Sequence, residues 1–152
     1  MKPQSDAGAR KFFVDTALFI YFVEGHTEYD NKVKKFFSLI QLGRISAATS
    51  VLTLTELLTK PARDNNICLC DKFQTMLAEG GHFELIEISR EISIMAGNLR
   101  GKYAFLKAVD SLQIAASIRA GSEVFLTNDR KLKKVNETVV WTIDDLKING
   151  RS

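Results

Sequence analysis

Four acidic side chains stand in this sequence where an acid with only a structural role would be costly. Asp15 follows Phe12-Phe13-Val14, and Glu56 lies within Val51-Leu52-Thr53-Leu54-Thr55-Glu56-Leu57-Leu58. Asp110 precedes Leu112, Ile114, Ala115 and Ala116, and Asp129 closes Val124-Phe125-Leu126-Thr127-Asn128. An unpaired carboxylate buried among such neighbours costs on the order of several kcal/mol. If the four meet they repel one another, and a hard divalent cation that takes oxygen ligands is the natural counter-charge. Three of these acids also have an ordinary role when taken alone. Asp15 and Asp110 suit the positive end of a helix, and Asn128-Asp129 suits a turn. Glu56 has no obvious basic partner before Lys60. The joint occurrence is what points to chemistry.

Other reactive groups offer less. His26 lies in a polar stretch and His82 follows Gly80-Gly81, so both are expected at the surface. Cys68 and Cys70 are two residues apart, a spacing that points their thiols in different directions rather than into one bridge or metal site. No Cys-His arrangement is present, which argues against nucleophilic catalysis by a thiol.

The elements that must carry these acids follow from hydrophobic spacing. Lys11 to Asp15 is a short apolar run ending on an acid, as a buried parallel strand does at its carboxyl end. Leu18, Phe19, Tyr21 and Phe22 continue it helically. Glu28 to Leu42 places Val33, Phe36, Phe37 and Ile40 on one helical face, with Gly43 as a stop. A strand from Arg44 to Ala48 leads through Thr49-Ser50, a capping pair, into a helix from Val51 to Thr59 closed by Pro61. Asp64 to Gly80 reads as a further helix, Phe83 to Ile88 as a strand, and Ser89 as the cap of a helix from Arg90 to about Arg100. Lys107 to Ala120 is a long apolar helix ended by Gly121, and Glu123 to Thr127 is a strand that again ends near an acid. A helical turn from Arg130 and a strand from Thr138 to Thr142 complete the pattern.

Strands alternating with helices, with no repeat or internal linker, predict an α/β protein: a three-layer α/β/α sandwich around a mostly parallel sheet. In such a sheet the carboxyl ends of strands and the first turns of the next helices face one crevice. Asp15, Glu56, Asp110 and Asp129 are therefore expected to converge there. With 152 residues the chain fits a single domain, taken as residues 12–147, preceded by a polar, loosely ordered segment 1–11 and followed by a polar tail 148–152.

The 21 basic and 18 acidic residues leave a net charge of +3, too small to prove a nucleic-acid partner. Its distribution says more, because Arg100, Lys102, Lys107, Arg119, Arg130, Lys131, Lys133 and Lys134 crowd the later half. A solvated basic surface would look the same. Without a disulfide framework, a charged-then-apolar leader or an apolar run near 18 residues, the sequence reads as cytoplasmic, with no membrane span.

Val14-Asp15-Thr16, an isolated Glu56 in a Thr-rich apolar helix, Asp110-Ser111-Leu112-Gln113-Ile114-Ala115-Ala116 and Leu126-Thr127-Asn128-Asp129 together resemble PIN-domain proteins, and within them the VapC-type toxins of type II toxin-antitoxin systems. The resemblance runs from about Phe12 to Trp141. It implies a parallel sheet between helices, a metal-dependent endoribonuclease activity, and acids at Asp15, Glu56, Asp110 and Asp129. Thr16 matches a hydroxyl residue that commonly follows the first acid, and Thr127 and Asn128 match the polar pair that shapes the fourth corner. Gln113 departs from the pattern, standing where an aromatic residue or histidine is frequent. The resemblance also implies a cognate antitoxin and a homodimer. The antitoxin would dock an amphipathic segment on the helical surface from Ile45 through Leu77, a surface that core packing or a dimer contact would equally explain.

Phosphodiester hydrolysis needs an activated water, neutralised phosphoryl oxygens and help for the leaving oxygen, which two divalent ions about 3.5–4 Å apart can supply. On this view Asp15 and Asp110 are the inner ligands of Mg²⁺ or Mn²⁺, Glu56 and Asp129 complete the shell, and no histidine is needed as base. Arg130 and Lys131, and then Lys102 and Lys107, are the expected phosphate contacts on single-stranded or looped RNA. Two rivals remain. One is a catalytically silent PIN-like module that binds RNA or protein. The other is an aspartyl-phosphate phosphotransferase using Asp15, against which stands Ala17, where such enzymes resemble one another by a second aspartate.

Overall fold

The computed structural model describes residues 10–148. Strand β1 (Lys11–Val14) leads into α1 (Thr16–Glu24) and α2 (Asp30–Gln41). Then come β2 (Ser46–Ser50), α3 (Val51–Arg63), α4 (Ile67–Met76), β3 (Phe83–Ile86), α5 (Arg90–Lys102) and α6 (Ala108–Arg119). The last elements are β4 (Val124–Thr127), a 3-10 turn (Arg130–Lys134), β5 (Val140–Thr142) and a second 3-10 turn (Ile143–Asp145). The five strands form one sheet in the order β3-β2-β1-β4-β5, and every pairing is parallel.

Side chains alternate across a strand, so each central strand feeds two cores. Phe12 and Val14 of β1, with Val124 and Leu126 of β4, face Leu18, Phe19, Phe36, Phe37, Leu57 and Phe73 of the first four helices. Phe13 and Phe125 point to the other face, where their rings stack 5.5 Å apart against Ile92, Ala96 and Leu99 of α5 and Ile114, Ala115 and Ala116 of α6. The expected α/β/α sandwich is thus present, with every central-strand residue from Phe12 to Val14 and from Val124 to Thr127 buried.

Several boundaries differ from the sequence expectation. Pro61 does not close α3: the helix runs on to Arg63 with the proline ring buried inside it. Burial of that ring offsets part of the roughly 3 kcal/mol an interior proline costs a helix. The break falls instead at Asn65, whose φ of 54° is the left-handed conformation that asparagine tolerates. Asn66 then caps α4 by accepting the Leu69 amide at 3.1 Å, so that helix starts at Ile67 rather than Asp64 and ends at Met76 rather than Gly80. Strand β2 lies two residues later than expected because its pairing with β1 sets Lys11 opposite Ser46. Ser50 and Ser89 cap α3 and α5 as read from the sequence.

Ile45, Leu57, Phe73 and Leu77, on the surface expected to receive an antitoxin, are at most 3% exposed and belong to the core. Ile67 at 72% exposure is the large apolar side chain of that stretch left in solvent. Residues 1–9 and 149–152, most of the polar lead-in and tail, lie outside the described residues. Among those described, no helix is long and apolar enough to cross a membrane.

The stacked Phe13–Phe125 pair ties β1 to β4 in the middle of the sheet. Replacing Phe125 with alanine is expected to cost about 3–5 kcal/mol, measured by urea unfolding. Ile94→Ala, at a position 58% exposed, should stay within about 0.5 kcal/mol of the parent.

Candidate active site

Asp15 is the first residue beyond β1 and the N-cap of α1. Its Oδ1 accepts the Thr16 amide at 2.9 Å, and its Oδ2 accepts the hydroxyl of Thr127, the last residue of the neighbouring β4, at 2.7 Å. The same Thr127 oxygen accepts the Asp129 amide at 3.1 Å, while Asp129 caps the following 3-10 turn by accepting the Lys131 amide at 3.1 Å. Asp110 lies in the first turn of α6. Glu56 projects from α3, where its Oε1 accepts the Thr16 hydroxyl at 2.6 Å. All four acids line a single cavity of about 350 Å³, together with Thr16, Ala17, Tyr21, Thr127 and Asn128.

The helices that carry Glu56 and Asp110 are registered to β1 by buried polar groups. Thr49 donates to the Val14 carbonyl at 2.8 Å, so the hydroxyl pair Thr53–Thr49, 2.7 Å apart, has Thr53 as donor. Gln113 donates to Thr53 at 2.9 Å and accepts from Ser50. Ser50 in turn accepts the Leu52 amide at 3.1 Å. All four side chains are essentially inaccessible, and left unpaired each would cost about 1–3 kcal/mol. Thr53 sits one helical turn before Glu56, and Gln113 one turn after Asp110, so fixing them aims both acids. Sequence reasoning noted Gln113 only as a departure and missed the network. The available signal was Thr53 and Gln113, each three residues along a helix from one of the acids within an otherwise apolar segment, with the Thr49-Ser50 hydroxyl pair just before the first of these helices.

Burial of its carboxyl pushes Asp15 up to a pKa of about 6 from 3.8, against the lowering effect of its Thr127 and Thr16 hydrogen bonds, with the charges of Asp110 and Glu56 raising it further. Asp110 is also raised, first by burial, then by the charges of Asp129 and Glu56, while Lys107 and Lys131 pull it back. Among the described residues none of the four acids forms an ion pair.

The structure qualifies some sequence expectations. Glu56 is exposed, so the burial cost used to single it out does not apply; what marks it is the cavity it shares. Lys107 and Lys131 act on Asp110 and so lie beside the acids. Arg130 instead pairs with Asp144 at 3.2 Å, and Lys102 pairs with Glu137 at 2.8 Å over the Tyr103 ring, away from the cavity lining. His82 is exposed and both cysteines are free; His26 is only half-buried in place of the expected open loop position.

The donor set suits a hard divalent cation. It offers the oxygens of four carboxylates beside those of Thr16, Tyr21, Thr127 and Asn128, with burial first and the charges of neighbouring acids after it raising Asp15 and Asp110. Among the described residues, no group of three or more acid, histidine or cysteine side chains is arranged to hold a metal ion as it stands.

In the folded chain Asp15 holds its proton up to about pH 6, whereas unfolding restores release near 3.8, so between these values folding takes up a proton. The contribution of Asp15 is therefore fully present below pH 4 and is lost as the pH rises through 6, by roughly 3 kcal/mol. Urea unfolding in EDTA from pH 4.5 to 7 should show stability falling with pH, and the slope should be shallower in Asp15→Asn, which should be the more stable protein at pH 7.

Solved structures show the same fold. VapBC2 from Rickettsia felis, bound to a DNA fragment from its promoter, matches with a TM-score of 0.66 and 18% identity, over 87% of this chain and 98% of that one. A toxin-antitoxin complex from Klebsiella pneumoniae matches with a TM-score of 0.67 and 21% identity, over 86% and 96%. Mycobacterium tuberculosis VapC20, a sarcin-ricin loop cleaving toxin, matches with a TM-score of 0.65 and 13% identity, over 82% and 95%. At such identities the likeness is one of fold. No curated protein matches the chain by sequence. The family profile of the PIN domain matches residues 12–138, from the first buried residue of β1 to just before β5, and the chain belongs to the PIN-domain family.

Proposed function

We propose that this chain is a divalent-metal-dependent endoribonuclease, acting as the toxin of a type II toxin-antitoxin pair. The observation that carries the reading is the single cavity lined by Asp15, Glu56, Asp110 and Asp129 with no ion-paired counter-charge among the described residues. A purely structural role would leave this repulsion uncompensated. The toxin assignment is supported by fold neighbours that are themselves toxins or toxin-antitoxin complexes, and it brings with it an antitoxin partner; the homodimer follows from the family resemblance.

In this reading Asp15 and Asp110 hold Mg²⁺ or Mn²⁺ most directly, and Glu56 and Asp129 complete the ligand set. The chemistry supplied by such an ion when bound is charge neutralisation at the phosphoryl oxygens and acidification of a water molecule. The protein's own groups do the positioning. Thr127 and the Thr16 amide hold both oxygens of Asp15, and the Thr16 hydroxyl orients Glu56. Lys107 and Lys131, whose charges act on Asp110, are the cations we assign to the phosphates that flank the bond to be cut.

Purified protein with Mn²⁺ should cleave a mixed pool of structured RNAs, and EDTA, Asp15→Asn or Asp110→Asn should each reduce cleavage to background. Folded, metal-loaded protein that leaves every RNA intact would overturn the assignment in favour of a binding module. Thr16→Val, which removes the hydroxyl that holds Glu56, should lower kcat about 10–100-fold, the usual loss for a group supporting a metal ligand.

A further inference from the structure

Beside the carboxylate cavity stands an aromatic cluster that the hydrolytic chemistry does not use. Tyr21 lines the cavity itself, where its hydroxyl oxygen accepts the Asn128 side-chain amide at 2.9 Å. The His26 ring lies 4.4 Å from Tyr21 and 4.9 Å from Tyr29, and the two tyrosine rings are 6.3 Å apart at 26°. His26 is held in place because its Nδ1 accepts the Glu28 amide at 3.1 Å and the Tyr29 amide at 3.2 Å. All three rings are half-buried, unlike the phenylalanines that build the cores. The Tyr29 hydroxyl reaches Asp144 Oδ2 at 3.5 Å, and Arg130 reaches the same oxygen at 3.2 Å, so a guanidinium next to Asp129 borders the cluster. His26 also lines a second cleft of about 630 Å³ with Thr27 and Lys34, which sets the rings between two open spaces.

We propose that Tyr21, His26 and Tyr29 form a stacking subsite for one unpaired nucleobase of the RNA, adjoining the phosphate that lies at the four acids. The inference rests on the nuclease reading above and adds the residues that would meet an unpaired base of the looped or single-stranded RNA already expected. Aromatic faces accept any base, because every base has a π-face, so the subsite selects unstacked nucleotides and not a sequence. Bases inside an A-form stem are already stacked and cannot reach it. Packing alone would explain rings at the α1–α2 junction, but not the tyrosine that opens onto the acids with its hydroxyl fixed by Asn128.

The test uses the full chain with Mn²⁺ and a short RNA containing its mapped cleavage site. Single bases near the cut are removed one at a time, leaving the ribose and phosphate. For the parent, one such removal should lower kcat/KM about tenfold, a loss carried mainly by KM. Tyr29→Leu should cleave the intact RNA about tenfold less well and show no further loss on the abasic strand, whereas Tyr29→Trp should restore sensitivity to base removal. Melting temperatures confirm that the variants fold, and 2-aminopurine at the sensitive position should be quenched on binding by the parent and by Tyr29→Trp. If the parent cleaves the RNA but every abasic penalty is the same in parent and Tyr29→Leu, or if 2-aminopurine stays unquenched, the subsite is wrong while the nuclease reading stands. If the parent neither binds nor cleaves RNA, both fall together.

Discussion

The burial of carboxyl groups beside one another at the end of the central strands is the constraint around which the rest of the structure is arranged. Asp15 leaves the central strand of the sheet and cannot turn away, because its backbone amide is bound to the Leu126 carbonyl at 2.9 Å and both its carboxyl oxygens are held. Burial of the carboxyl, with a smaller push from the charges of Asp110 and Glu56, makes it keep its proton to about pH 6. A fold optimised only for stability would place an uncharged side chain there. Stability given up at one point for a charge pattern useful in binding is what functional sites commonly show.

Holding four like charges near one another demands a rigid frame, and the two cores provide it. The parallel sheet buries β1 and β4 on both faces, so the strand ends that carry Asp15 and Thr127 have little freedom to separate. The helices would otherwise be free to slide on apolar side chains, which pack without directional preference. The bonds joining Val14, Thr49, Thr53, Gln113 and Ser50 remove that freedom, because hydrogen bonds have one geometry and buried ones are expensive to break. Thr127 does the same job at short range, donating to Asp15 while accepting from Asp129. Gln113, a departure from the family pattern, works here as the amide that joins α6 to α3.

Much of the fold was legible in the chain because local and tertiary preferences agree. Apolar runs ending on Asp15 and Asp129, serines placed to cap α3 and α5, and an apolar stripe over Val33, Phe36, Phe37 and Ile40 each have one economical interpretation. Where the sequence misled, a long-range term had overridden a local one. Pro61 stays inside α3 because its ring is buried, and α4 begins at Ile67 because Asn65 takes a left-handed turn that no periodicity reveals. The order of strands in the sheet, with β1 in the centre, is likewise a matter of packing between segments distant in the chain.

The sequence by itself determined which acids stand against apolar neighbours, that the strands would be parallel and two-faced, and that the first and last acids would follow strand ends. These are properties of short windows, set by periodicity and by the cost of burying charge. Only the tertiary structure decided that Glu56 reaches the cavity while remaining exposed, that Lys102 and Arg130 are engaged with Glu137 and Asp144, and that Tyr21, which lines the cavity, clusters with His26 and Tyr29. Those outcomes depend on distances between residues tens of positions apart. Such distances are fixed by how helices pack on the sheet and not by any local preference of the chain.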